Sequence, residues 1–151
     1  MRSILILVTI VEIVFCSCGK MQDPVFNGIE NMKLSKVGLG TSVMAFDVRY
    51  FNPNNTKAKL KDAEGEAWLD SNYIGHFHVD TMVNIPAKAD FNIPVRLDVD
   101  TKAFLLYSFS KPKNSDVLIT VNGKARVGKS GIYKSIPLHY EAKKNLAQLI
   151  N

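Results

Sequence analysis

Runs in which apolar and polar residues alternate one by one restrict this chain more than any other feature it carries. Met44, Phe46, Val48 and Tyr50 interleave with Ala45, Asp47 and Arg49. Phe91, Ile93, Val95, Leu97 and Val99 interleave with Asn92, Pro94, Arg96 and Asp98, and Val117, Ile119, Val121, Gly123, Ala125 and Val127 keep the same step further on. Only an extended strand turns successive side chains to opposite faces, so this period of two predicts half-buried β-strands. Ala67 and Leu69 about Trp68 predict another strand that closes near Ser71-Asn72, and Ile132 to Tyr140 predicts the last. The first strand is expected to start near Val25. Asn52-Pro53-Asn54-Asn55 ends the strand from Met44, because Pro presets φ and Asn tolerates left-handed geometry. Proline has no N–H to give a ladder. Pro94 therefore predicts an edge strand or a bulge, and Pro137 an edge strand.

One segment breaks the period. Asp100-Thr101 offers an N-cap, and Ala103, Phe104, Leu106 and Tyr107 follow at helical spacing until Lys111-Pro112 stops them. A short helix there would lid one end of the sheets. Several short strands with one helix predict a mostly β fold, an antiparallel β-sandwich. The length of 151 residues is one domain's worth, and an apolar share of 46% excludes disorder. The only cysteines, Cys16 and Cys18, precede every expected strand, which excludes a disulfide-built scaffold.

The N-terminus reads as a targeting segment. Arg2 precedes an apolar run from Ile4 to Cys16, the layout of a secretory signal. The run falls short of the roughly 20 apolar residues that cross a bilayer, and Glu12 interrupts it. Phe15-Cys16-Ser17-Cys18 resembles a bacterial lipobox, in which the last cysteine is acylated and becomes the first mature residue; Phe15 stands where Leu is usual. The expected organisation is a signal peptide over 1–17, a lipidated N-terminus and short tether over 18–24, and one β domain over 25–151.

Val48-Arg49-Tyr50-Phe51-Asn52-Pro53-Asn54 resembles the signature of the LEA type 2 family, also called the water stress and hypersensitive response domain. There an alternating strand runs into an Asn-Pro-Asn turn. The family continues with a glycine-containing hairpin, an Ile-Pro pair, a strand with a Pro-Val step, a Leu-rich helix and a strand with a central glycine. Gly75, Ile85-Pro86, Ile93-Pro94-Val95, Phe104–Phe109 and Val121-Asn122-Gly123 are similar, in that order, over about residues 30–140. The resemblance implies an immunoglobulin-like or fibronectin-III-like sandwich with one helix, and an association with desiccation or envelope stress. It brings no catalytic residue, and Asn52, Pro53 and Asn54 enter as a structural turn.

Other patterns weigh less. Gly123–Ser130 spells the phosphate-binding pattern G-x-x-x-x-G-K-S, but that mechanism needs a helix at once afterwards, and Gly131-Ile132-Tyr133 and Pro137 read as hairpin and strand. His76 and His78, two apart, share a face if they lie on a strand, which suits two metal positions but equally a solvated surface; no metal is expected. Glu64 and Glu66 lie close to Lys57, Lys59 and Lys61 and read as a solvated hairpin, not an acid–base pair. No Ser-His-Asp or Cys-His set is recognisable.

The formal charge of +5 is uneven, with +6 from Lys111 onward and −1 from Cys18 to Ser110. Those lysines suit either edge protection or anionic headgroups. The expectation is a non-enzymatic lipoprotein at the cell envelope, anchored at Cys18 to a bacterial membrane on its periplasmic or outer face. No cofactor and no nucleic acid are expected, and its protein or apolar partner is open. The alternative is a carrier or accessory domain holding a lipid or apolar ligand between its sheets, and a hollow core would favour it.

Overall fold

The computed structural model describes residues 21–112 and 114–145. The chain builds β1 (Val25–Lys36), β2 (Thr41–Phe51), β3 (Ala58–Leu69), β4 (Asn72–Val79), β5 (Val83–Ile85), β6 (Asp90–Asp100), α1 (Thr101–Ser110), β7 (Asp116–Lys129) and β8 (Ile132–Asn145). Among the described residues it is a mostly antiparallel, sandwich-like β fold with one short helix, in keeping with the alternation and the helical run after Asp100. The hydrogen-bonded path runs β1-β2-β6-β4-β3-β7-β8, with β5 added to β3.

Because that path is continuous, the sandwich arises from one sheet doubled over itself. Phe46, Val48 and Tyr50 of β2 and Phe91, Val95 and Leu97 of β6 pack with Leu60 and Ala63 of β3, Ala125 of β7 and Leu138 of β8. Those of β2, β6, β7 and β8 come from the apolar half of an alternating run, whereas Leu60 and Ala63 reach the same face across a register shift in β3 between Leu60 and Asp62. The two ends of the path also meet: the Phe26 ring of β1 lies 6.2 Å from that of Tyr140 on β8 and 5.8 Å from that of Tyr50. Burial there, and then the neighbouring Tyr140, raise the Tyr50 phenol above its usual range.

Two proline expectations separate here. Pro137 lies on β8, an end of the path, as expected. Pro94 does not make β6 an edge strand, and no bulge forms beside it. β6 lies inside the sheet, and its ladder to β2 runs unbroken from Thr41↔Asp100 to Phe51↔Asp90, with Pro94 opposite Asp47. The ladder on its other side ends at His78↔Arg96. At Pro94, β6 thus has a neighbour on one side only, and the missing N–H costs no ladder bond on the other. The last strand also runs beyond Tyr140 to Asn145.

Candidate functional site

The Asn-Pro-Asn segment closes one end of the sandwich. Asn52 is 3% exposed, and its side chain is fully engaged. Its Nδ2 donates to the Thr56 carbonyl at 3.0 Å and to the Pro86 carbonyl at 2.7 Å. Its Oδ1 accepts from the Asn54 N–H at 3.0 Å and from Asn54 Nδ2 at 2.9 Å. The Asn52 N–H donates to the Ala89 carbonyl at 3.0 Å. One amide thus ties the end of β2 to the β5–β6 connection, joining the Asn-Pro-Asn and Ile-Pro segments. Asn54 reaches the incoming chain: it accepts from the Gln22 N–H at 2.8 Å and donates to the Gln22 carbonyl at 2.7 Å. The chain therefore enters the domain beside Asn54. Cys18 lies outside the described residues.

The opposite end is organised by Asp70, which the sequence did not single out. Asp70 and Ser71 form the two-residue β3–β4 turn, both at positive φ (45° and 68°), the geometry that lets paired strands keep their twist. The Asp70 carboxylate accepts from the Leu118 N–H at 2.8 Å and from the Tyr107 hydroxyl at 2.8 Å, and meets Lys111 Nζ at 3.0 Å. These bonds, the Leu118 amide first, lower its pKa to about 2, while burial and the Asp70 bond raise that of Tyr107 to about 12. Tyr107 and Val117, with Leu69 and Ile119, form a small second core beneath α1. Asp100 caps that helix by accepting from the Ala103 N–H at 2.9 Å. The helix does cover one end of the sandwich. The available signal was a two-residue gap between alternating runs; Tyr107, Lys111 and Leu118 come from far along the chain.

Ladder registers bring the histidines to one polar face. One row across the sheet reads Asp98, His76, Glu66, Asn122, His139, and the next reads Arg96, His78, Glu64, Lys124. His78 Nε2 lies 3.4 Å from Asp80 Oδ2, His76 and His78 stack at 6.5 Å, and His139 Nδ1 lies 2.6 Å from Asn122 Oδ1. Among the described residues no three His, Cys, Asp or Glu side chains converge as metal ligands do. Glu64 pairs with Lys124 at 2.9 Å, and Asp62 is held in a two-pronged contact by Arg126. Their partners come from β7, not from the lysines flanking them in sequence. Each contact keeps its carboxylate below the usual range. Part of the basic excess of the C-terminal third is thereby neutralised.

The phosphate-binding pattern is divided between a strand and a turn. Gly123 to Lys129 belong to β7, Ser130 and Gly131 turn at positive φ (53° and 86°), and Ile132 opens β8. The segment supplies paired strand amides, not the free N-terminal amides of a helix. There are two grooves, of about 490 and 590 Å³; Asp62, Glu64, His78 and Arg126 are among the residues lining the first, and Lys33, Asp47, Phe46, Val95 and Arg96 among those lining the second. Both are open; the first is mixed, and the second is more apolar than polar, reaching Phe46, Pro94 and Val95.

Neither a protein-family profile nor a curated protein matches the sequence. Among solved structures, the chain is similar to a crystal structure of a protein from Archaeoglobus fulgidus (TM-score 0.51, 7% identity, 80% of this chain and 96% of that one). It is also similar to a solution structure of a protein from Arabidopsis thaliana (TM-score 0.53, 11% identity, 88% of each chain). A solution structure named provisionally as a late embryogenesis abundant (LEA) protein matches more loosely (TM-score 0.39, 11% identity, 96% of this chain and 84% of that one), too loosely to argue from. At these identities the likeness shows a shared fold.

Proposed function

We propose that this chain is an exported, lipid-anchored and non-enzymatic module of LEA type 2 kind that binds or protects at a bacterial cell envelope. The observation that carries the reading is the Asn52 side chain, whose bonds to Thr56, Pro86 and Asn54 tie together segments on which the family resemblance rests. The contact between Gln22 and Asn54 sets which end of the domain such an anchor would adjoin. Gln22 follows Cys18 by four steps of the chain, a reach of at most about 14 Å, so an acyl chain on Cys18 would hold the Asn52 end against headgroups. The carrier reading calls for a hollow core, and side chains from both layers occupy the space between them.

Mass spectrometry of the mature N-terminus tests the anchor. A diacylated or triacylated peptide beginning at Cys18 is expected, and Cys18→Ser is expected to release the chain from membranes or to block its processing. An unmodified peptide beginning after Cys18 overturns it. The protective role is read by drying a labile enzyme with and without the purified chain, with preserved activity expected.

A further inference from the structure

The helix faces solvent with the wrong residues for a surface helix. Lys102, Leu105, Leu106 and Phe109 fall at i, i+3, i+4 and i+7, one stripe of α1, and all four are exposed. Phe109 is 85% and Leu106 63% accessible, while Tyr107 is turned inward at 5%. A surface helix normally shows the reverse arrangement. The β1–β2 turn extends the stripe: the Thr101 N–H donates to the Gly40 carbonyl at 3.0 Å, and Thr101 Oγ1 donates to the Gly38 carbonyl at 3.0 Å. Leu39, wholly exposed at 101%, is thereby fastened beside the first turn of α1.

We infer that this end of the sandwich, tipped by Leu39, Leu106 and Phe109, docks on a lipid surface that carries anionic headgroups. Charge selects that occupant. Lys102 lies within the stripe, Lys36 ends β1 beside the turn, and Lys143 sits near the end of β8, opposite Leu118. Of the acids nearby, Asp70 is paired with Lys111, while Asp100 and Asp116 are turned to neutral donors, the Ala103 N–H and the Asn145 amide, and keep their charge. Apolar tips within a collar of cations are what an interfacial binder presents to anionic lipid. A second copy docking on the same face would set the collars against each other. The face lies at the far end from the anchor, since β7 runs between the two ends and its 14 residues span roughly 45 Å, so a chain held at Cys18 would present it to a second bilayer and not to its own.

The test uses the full chain bearing Phe109→Trp, with bromine-labelled lipids as quenchers and the parent, whose one tryptophan is Trp68, as the reference. Emission from the introduced indole is expected to be quenched by vesicles containing brominated phosphatidylglycerol far more than by brominated phosphatidylcholine alone, and less so as salt rises. Leu105→Ser with Leu106→Ser is expected to weaken binding through this end by roughly tenfold with thermal stability retained. Lys102→Glu is expected to remove the preference for phosphatidylglycerol. Chains that reach vesicles through residue 18 while the introduced indole stays unquenched overturn the inference and leave the anchor standing. A concentration-dependent dimer abolished by the serine pair overturns it in favour of a second copy.

Discussion

Asn52 shows how much one buried amide can hold. Its four side-chain bonds all run to groups of the same end of the sandwich, and at 3% exposure water cannot replace them. Replacing it with Ala leaves the Pro86 and Thr56 carbonyls without their donor, so Asn52→Ala is expected to cost about 2–3 kcal/mol. The check is a denaturant midpoint at unchanged slope. Asn54→Ala, whose side-chain bonds are partly exposed, is expected to cost about 1 kcal/mol. If either variant kept full stability but lost a binding activity, the segment would be a contact and not a turn. Ser71 is the opposite case, a residue with a Cβ held at φ 68°. Ser71→Gly is expected to raise stability by about 0.5–1 kcal/mol, seen as a higher melting temperature, because glycine adopts that geometry without strain.

Among elements, β3 and β7 approach each other more closely than side chains would allow. Gly65 and Gly123 sit opposite one another, and a Cβ on either would press on the backbone of the facing strand; one on Gly65 would also lie 2.6 Å from the Phe77 ring. Gly123→Ala is expected to destabilise by more than about 2 kcal/mol, whereas Lys129→Ala, at the exposed end of the same strand, is expected to change stability by less than about 0.5 kcal/mol. Parallel thermal melts compare the two. Strands β2, β6 and β7 were legible because each has one face in the core, and burial of one face imposes the period of two. The role of β6 was not legible. A proline requires only that one side of its strand be unpaired at its own level, and where β4 stops is decided by the β4–β6 register.

For the whole molecule, the most strongly depressed carboxyl among the described residues sits at the helix end. Asp70 has a folded pKa of about 2 against an ordinary 3.8. A depressed carboxyl contributes stability in full above its unfolded value and loses it as pH falls through the folded one. The loss is therefore expected between about pH 4 and pH 2. It should be on the order of 1 kcal/mol once solvent screening of a partly exposed carboxylate is allowed for. Thermal melts across that range are expected to show a steeper decline for the parent than for Asp70→Asn, which starts lower and changes less. The basic third is also divided lengthwise by the fold. Lys111 and Lys143 go to the helix end, Lys129 goes to the Asn52 end, and Lys124 and Arg126 are matched to acids of β3.

The strand class, the helix and its cap, and the turn after β2 were determined by the sequence alone, because each depends on neighbours within a few residues: alternation, an N-capping Asp100, a Pro between two Asn. Tertiary structure alone decided which strands adjoin, and with that everything that depends on distant partners. It set Asp70 against Tyr107 and Lys111, matched Arg126 to Asp62, brought three separate histidines to one face, and turned the apolar stripe of α1 outward. These follow from the ladder registers and from the doubling of one sheet upon itself. Each register is a balance of packing across the core, where residues far apart in the chain compete for the same space.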